Sequence, residues 1–447
     1  MGAHQFRELR SIEMRFELIP QKLIFGGAAL GYHQGLPVLV SRALPDELVE
    51  AEQVRRAKGV IHARVTRIVK SATERIHASC PYFEDCGGCQ YQHFLAEKQA
   101  AWKIAILRET LYRLGGIEWT AEIPAHTAFP WNYRNQAQFK VETLSGGGVR
   151  LGFFAAESHR LVDVDSCRIL SPCLNKTLAD LRRLLRDEEL PGLREIEMMA
   201  DNRDQHVMLR LQGQGLSFQT QDWGHKILEE LPQVQTVALD GIKSDTRILG
   251  QPALAYRVGS FDYQISPGSF FQASRFLLPE LAATVIKAAT GVKTQFIGTV
   301  GSLALDLYAG VGLFTLPLAQ HFREVYGVEM HPGSATDLEA NAQACGLSSI
   351  EVIRQPVFDF LRRFSGPSPD LVVLDPPRSG VGYPSLKALA GLQPRKVFYV
   401  SCHPPTLARD LAFLLQQGYV MTSLEMFDFF PQTYHIETFA QLRRAHL

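Results

Sequence analysis

The chain has no long apolar run. None of its 447 residues lies in a stretch approaching the roughly 18 consecutive apolar side chains that a membrane-crossing helix requires. The first residues, MGAHQFRELRSIEMRF, contain no apolar core of a secretory leader, so the expected location is cytoplasmic. Net charge is also missing, since 46 basic residues balance 46 acidic ones. That removes the strongly basic class of nucleic-acid binders, although a local bias survives the average. Internal repeats and low-complexity tracts are absent, which excludes solenoids and arrays. Cysteine is scarce and odd in number, seven in all. An odd set without a leader argues against a disulfide framework and for metal binding or catalysis.

What is present is ordinary globular composition, 46% hydrophobic and 21% charged, at a length that implies two or three domains. Residues 18–75 read as short strands broken by glycine pairs and a Pro-Asp turn, with strands at Pro37–Val40 and Val60–Val69. A five-stranded barrel of this length suits nucleic-acid binding. The local charge bias falls here: Arg55, Arg56, Lys58, Arg64, Arg67, Lys70 and Arg75 face only Glu52 and Glu74 within residues 51–80. A helix is expected over Phe94–Leu114, stopped by Gly115-Gly116. Residues 120–265 look mixed and mostly β, with a charged helix at Leu174–Asp187.

From Ser269 onward, apolar strands alternate with helices, the pattern of a doubly wound parallel sheet. Helices are expected at Phe276–Thr290, Phe314–His321 and Ser334–Cys345. Strands are expected at Ser302–Tyr308, Glu324–Val328, Leu371–Leu374 and Val397–Val400. Ligands bind such sheets at the carboxyl ends of the strands, and the chemistry-bearing residues fall there. The strand ending in Asp306 and Tyr308 runs into a glycine turn, Gly310-Val311-Gly312. Glu329 ends the next strand, where an acid can accept hydrogen bonds from ribose hydroxyls. Asp375-Pro376-Pro377-Arg378 follows a third strand and Ser401-Cys402-His403-Pro404 a fourth. Arg378 stands where amino-methyltransferases carry an aromatic residue for stacking the base, which points away from exocyclic-amine chemistry. Glu437 is a possible general base. Cys80, Cys86 and Cys89, with Cys167 far downstream, suit an iron–sulfur cluster; four-thiolate zinc is the rival, and spacing alone allows Cys173 in place of Cys167.

Taken together, these motifs resemble the RNA uracil-5-methyltransferase family over nearly the whole chain. The resemblance implies an α/β and β multidomain protein. Its parts would be a TRAM-like (OB-like) RNA-binding β-barrel at 15–76, an iron–sulfur and central RNA-binding domain at 77–265, and a Rossmann-like S-adenosylmethionine-dependent methyltransferase domain at 266–447. It implies Cys402 as nucleophile and Glu437 as base. Gln272 of Ser269-Phe270-Phe271-Gln272, Tyr308, Gly310, Glu329 and Asp375 would lie around S-adenosylmethionine. A 4Fe-4S cluster would sit on Cys80, Cys86, Cys89 and Cys167. Arg134 of Tyr133-Arg134-Asn135, Arg64 and Arg67 would meet the RNA. The partner implied is RNA, ribosomal (23S) ahead of transfer RNA, with no membrane and a monomeric enzyme. Two positions depart from the family pattern. His403 follows the nucleophile where a small polar residue is usual, and Leu313 stands where a polar residue is common. Two other classes compete: a non-catalytic RNA-binding protein with a retired methyltransferase domain, and the radical methylthiotransferases. The latter carry a tighter C-x3-C-x2-C motif and a barrel, against C-x5-C-x2-C and an open α/β domain here.

Overall fold

The computed structural model describes residues 14–445, apart from 145–147, 187–191, 214–217, 242–245 and 292–300. Residues 1–13 and the expected helix end at Asp187 lie outside the described residues. Among the described residues, no helix is long and apolar enough to cross a membrane.

The N-terminal part is a six-stranded sheet ordered Arg15–Leu18, Leu48–Ala57, Val60–Lys70, Leu36–Ser41, Ala28–His33, Lys22–Leu23. Two tight hairpins build it, at Gln34-Gly35 (φ 49° and 77°) and Lys58-Gly59 (φ 48° and 82°). Paired positive φ values match the right-handed strand twist, and glycine at the second position bears them without strain. Alternation puts Phe16, Leu18, Val38, Val40, Val49, Ala51, Ile61 and Ala63 inside. The sheet curls strongly, because a Cβ on Gly31 would lie 2.8 Å from Leu18 of the far edge. Six strands replace the expected five; Lys22–Leu23 is too short to show a period.

The Ala96–Gly115 helix ends on Gly116 in the left-handed conformation, as the glycine pair predicts. Gly115 serves a different need: a Cβ there would meet the Ala408 carbonyl oxygen at 2.7 Å. The central sheet has seven strands, ordered Leu161–Asp163, Val149–Phe154, Gln136–Thr143, Leu193–Ala200, Val207–Gly213, Val234–Asp240, Thr246–Gly250. Two helices accompany it, Pro172–Leu184 and Phe218–Glu230, the second unforeseen from sequence.

The third sheet has eight strands, ordered Ile350–Ile353, Phe322–Val328, Gly301–Leu307, Leu371–Leu374, Lys396–Ser401, Glu437–Arg444, Tyr419–Phe427, Ala125–His126. The first five run parallel, and Glu437–Arg444 returns antiparallel to Lys396–Ser401. The chain winds outward from Gly301–Leu307 and resumes on its other side at Leu371–Leu374. The switch point therefore lies between those two strands. The helix expected at Phe314–His321 is one turn, Thr315–Leu318, because the following strand begins at Phe322 and leaves no room for more.

Packing crosses the expected domain limit at residue 265 in two places. The Leu254–Val258 and Phe261–Ile265 hairpin shares a core with Leu278, Leu281 and Leu316, and the Tyr263 hydroxyl donates to the Leu313 carbonyl at 3.1 Å. Leu313, the apolar departure noted above, is buried in that core. At the other edge, Ala125–His126 extends the third sheet, and the Ala96–Gly115 helix lies on the Pro404–Gln416 helix.

Candidate active site

At the switch point, Asp306 is fully buried and accepts a hydrogen bond from the Thr315 hydroxyl at 2.5 Å; its other oxygen has no partner. Burial pushes this carboxyl up to about 7. The chain then turns through Tyr308 (φ 67°), Gly310 (φ 55°) and Gly312 (φ 98°). A bulky residue in the left-handed region is strained, and such strain gathers at ligand sites. Glu329 pins this turn from the next strand, accepting from the Gly310 N–H at 2.9 Å and the His331 N–H at 2.6 Å.

Gln272 is 7% exposed, and its Nε2 donates to Asp375 Oδ2 at 3.1 Å. Burial raises the Asp375 carboxyl to about 7, and the Asp306 charge adds to the effect. The Ser269–Gln272 segment is held by the Tyr133-Arg134-Asn135 stretch. The Asn135 N–H donates to the Ala273 carbonyl at 3.3 Å, and the Arg275 N–H donates to that of Tyr133 at 3.0 Å. The Tyr133 hydroxyl reaches the Pro431 carbonyl at 3.0 Å, while Arg134 Nε donates to the Gln136 carbonyl at 2.7 Å. Two motifs that looked independent in sequence thus form one braced unit.

Cys402 and Glu437 are 35 positions apart, yet sheet register sets them face to face. Ser401 pairs with Thr438, so the next position outward opposes Cys402 to Glu437. Glu437 is 2% exposed with Oε1 unpartnered. Burial, with Asp375 adding to it, raises this carboxyl well above its ordinary value. The Cys402 thiol is pushed up to about 12 by burial, then by the Glu437 and Asp375 charges, against the pull of the Arg378 guanidinium. Three acids share one dry corner, so they cannot all ionise together.

His403, the departure from the family pattern, is a helix cap. Its ring accepts from the Thr406 N–H at 3.4 Å and lies 3.0 Å from the Thr406 hydroxyl, closing the Pro404–Gln416 helix. A cap must accept, which a neutral imidazole can do. Burial, Arg378 and Arg409 all lower its pKa and keep it neutral.

Sequence reasoning missed the braces of the 428–436 loop that leads into Glu437. Lys103, fully buried, donates to Asp428 Oδ1 at 2.6 Å and the Phe430 carbonyl at 3.0 Å. Gln99 exchanges two hydrogen bonds with Gln432, whose carbonyl also accepts from the Gln90 and Tyr91 N–H groups. Their signal was present: a glutamine and a lysine four apart on the apolar face of one helix.

Cys80, Cys86 and Cys167 all lie within electrostatic reach of Cys89. Burial raises the Cys89 thiol to about 12, and Cys167, Cys86 and Cys80 each add to the effect. Burial raises Cys167 to about 11. Cys173 stands apart, on the Pro172–Leu184 helix, where its thiol is raised by burial and then by Asp204 and Asp201. Among the described residues, no three His, Cys, Asp or Glu side chains group closely enough to hold a single metal ion. Arg64 and Arg67 lie on the exposed barrel face, and each meets an acid on the paired strand: Glu52 at 3.1 Å and Glu50.

A doubly wound sheet with a glycine turn, a strand-end acid and a buried polar switch point defines a Rossmann-like domain that binds a nucleoside-bearing ligand. The family model described as tRNA (Uracil-5-)-methyltransferase matches residues 254–445. An RNA methyltransferase of Aquifex aeolicus is 33% identical, over 95% of this chain and 98% of its own length. The 23S rRNA (uracil(1939)-C(5))-methyltransferase of Shewanella sp. (strain MR-4) is 31% identical, over 94% of this chain and 93% of its own. The fold is that of the Pyrococcus abyssi tRNA (uracil-54, C5)-methyltransferase, solved with S-adenosyl-L-homocysteine. That match has a TM-score of 0.71 and 24% identity, and covers 96% of this chain and all of that one. The chain belongs to the RNA uracil-5-methyltransferase family, whose members are S-adenosylmethionine-dependent enzymes.

Proposed function

We propose that this enzyme methylates carbon 5 of a uridine in large-subunit ribosomal RNA through a covalent adduct on Cys402. The observation that carries the reading is the strand register that opposes Cys402 to Glu437, with Asp375 beside them. S-Adenosylmethionine, when bound, supplies an electrophilic methyl group on a cationic sulfur. The residues fit such a ligand: a glycine turn, the Glu329 carboxylate at a strand end, and the Asp306 and Glu437 oxygens left without partners. Gln272 and Asp375 would orient the donor against the base.

The Cys402 sulfur, its proton released to solvent, bonds to carbon 6 of the ring, and the displaced π electrons make carbon 5 nucleophilic enough to take the methyl group as that group's bond to the donor sulfur breaks and leaves a neutral thioether. Glu437 then removes the proton from carbon 5, the ring double bond re-forms, and the bond from sulfur to carbon 6 breaks. Arg378 offsets the negative charge that these steps place in the corner. The target base must leave its stack to reach a strand-end pocket, so a single-stranded loop or bulge suits it best.

The four gathered thiols fit a 4Fe-4S cluster better than a zinc ion. A cluster spreads its ligands over several metal atoms, whereas one ion needs them close together. Cys80, Cys86, Cys89 and Cys167 would hold it in a structural role, bracing the junction between the barrel and the central domain. Ribosomal RNA is favoured by the 31% identical, near full-length relatives in Shewanella and Alkalilimnicola, which are named for that substrate.

The deciding experiment incubates the enzyme and a radiolabelled methyl donor with unmodified large-subunit ribosomal RNA or total transfer RNA, followed by digestion to nucleosides. Labelled 5-methyluridine from ribosomal RNA alone supports the reading. Label from transfer RNA alone overturns the substrate. Glu437→Gln should trap a protein–RNA adduct that Cys402→Ala cannot form; loss of adduct in both, with RNA still bound, would overturn the assigned roles.

A further inference from the structure

Lys103 is 0% exposed, an unusual place for an ammonium group. Stability alone does not account for its pairing with Asp428, because apolar side chains of similar volume often serve such a site equally well. A buried ion pair is better understood through what it fixes in place. Lys103 and Gln99 stand four residues apart on the buried face of the Ala96–Gly115 helix, and both reach the 428–436 loop. Three consecutive carbonyls of that loop are gripped from outside the methyltransferase part of the chain. Phe430 accepts from Lys103 at 3.0 Å and Pro431 from the Tyr133 hydroxyl at 3.0 Å. Gln432 accepts from the Gln90 and Tyr91 N–H groups at 3.0 and 2.9 Å. Gln432 itself sits at φ 68°, a strained region for a residue with a side chain. Gln99 closes on it twice, donating to its Oε1 at 3.0 Å and accepting from its N–H at 2.8 Å.

The gripped loop leads into Glu437, the first residue of its strand. Oε1 of Glu437 has no hydrogen-bond partner, so the carboxyl takes its position from the backbone. Strand register holds that backbone on one side, and the loop holds it on the other. The same helix also touches the element that carries the nucleophile. A Cβ on Gly115 would lie 2.7 Å from the Ala408 carbonyl oxygen, on the helix that follows Cys402. One helix therefore measures the loop before the base against the helix after the nucleophile.

We propose that Lys103 and Gln99 are positioning residues for proton abstraction, setting the Glu437 carboxyl against carbon 5 of the Cys402 adduct through the loop they grip. This rests on the roles given above to Cys402 and Glu437. The step served is the last one. The Glu437 carboxylate takes the carbon 5 proton, the electrons of that carbon–hydrogen bond re-form the ring double bond, and sulfur leaves carbon 6 with the electrons of its own bond. Sulfur attack and methyl transfer come earlier and do not use the Glu437 carboxyl. Loosening the brace therefore stalls the enzyme after methylation, whereas loss of the fold would stop every step alike.

The test takes the RNA that accepts label in the experiment above, tritiated at carbon 5 of its uridines, with a radiocarbon-labelled methyl donor. Tritium released is compared with methyl transferred in a single turnover; the native enzyme should release one for each transferred. Lys103→Met combined with Asp428→Leu removes both charges together. This double variant should fold, bind the donor normally and transfer methyl in the first turnover. Its tritium release should lag about 100-fold, the loss expected for a reacting group displaced by about 1 Å. Methylated protein–RNA adduct should accumulate on denaturing gels. Gln99→Leu leaves the ion pair intact and should show a lag independently. Tritium release that keeps pace with methyl transfer in both variants would overturn the proposal, as would an equal fall of the two. Glu437→Gln, run alongside, separates the two readings. Tritium release in step with methyl transfer in that variant removes Glu437 as the base. A lag there that neither brace variant reproduces leaves the base in place and removes the brace.

Discussion

The thiol of Cys402 is strongly perturbed, and its perturbation can be measured directly. An ordinary cysteine titrates near 8.5, whereas this one is raised to about 12 by burial and by the carboxylates of Glu437 and Asp375. At any pH below 8 the thiolate is then about a thousandfold scarcer than on a free cysteine. The assay is the pH dependence of iodoacetamide alkylation at Cys402, read by peptide mass spectrometry so that the other six cysteines do not interfere. The rate should climb tenfold per pH unit past pH 10 with no plateau. Glu437→Gln removes one negative neighbour and should move the inflection down; Arg378→Met removes the opposing cation and should move it up. The shifts matter more than the absolute rate, because limited access slows all pH values equally. A plateau below pH 9 in the wild type, or an inflection that Glu437→Gln leaves in place, would refute the account of the shared dry corner. The mechanism would then begin from a preformed thiolate.

Other outcomes follow from single residues. Lys103→Met leaves Asp428 buried without its cation and should cost about 3–5 kcal/mol in denaturant unfolding, with the double variant carrying Asp428→Leu recovering much of it. Asp306 has a folded-state value of about 7 against an unfolded value near 3.9, so the native state binds the extra proton. Its contribution to stability is therefore full below about pH 4 and is lost as pH rises toward 7. Asp306→Asn should flatten that part of the stability curve measured by thermal unfolding. Gly312→Ala places a Cβ 2.4 Å from Leu316 and Leu338 at φ 98°, and should cost about 1–3 kcal/mol and weaken donor binding seen by calorimetry.

Much of the catalytic sheet was legible because parallel strands buried on both faces read as short apolar runs. Leu371–Leu374 falls where it was expected, and Lys396–Ser401 extends the expected run by one residue at each end. Their polar ends mark the site by position alone. Legibility failed where neighbours decide. Phe218–Glu230 is a helix under the central sheet that looked like part of a mostly β region. The Leu254–Ile265 hairpin packs with the methyltransferase core although it precedes the change of pattern at Ser269. His403 stood out only as a departure from the family pattern and is a helix cap, a role visible only once the helix is in place.

By itself the sequence determined which reactive groups exist, in what order, and that Asp306, Glu329, Asp375 and Cys402 lie at the ends of apolar strands. Those facts depend on local periodicity and on the chemistry of single residues. Only the tertiary structure decided that Cys402 opposes Glu437, that Cys167 rather than Cys173 joins the cysteine group, and that Lys103 reaches the catalytic loop. Each of these is a contact between residues distant in the chain. Such contacts are set by strand register and by the packing of separate elements, and no local pattern of side chains encodes them.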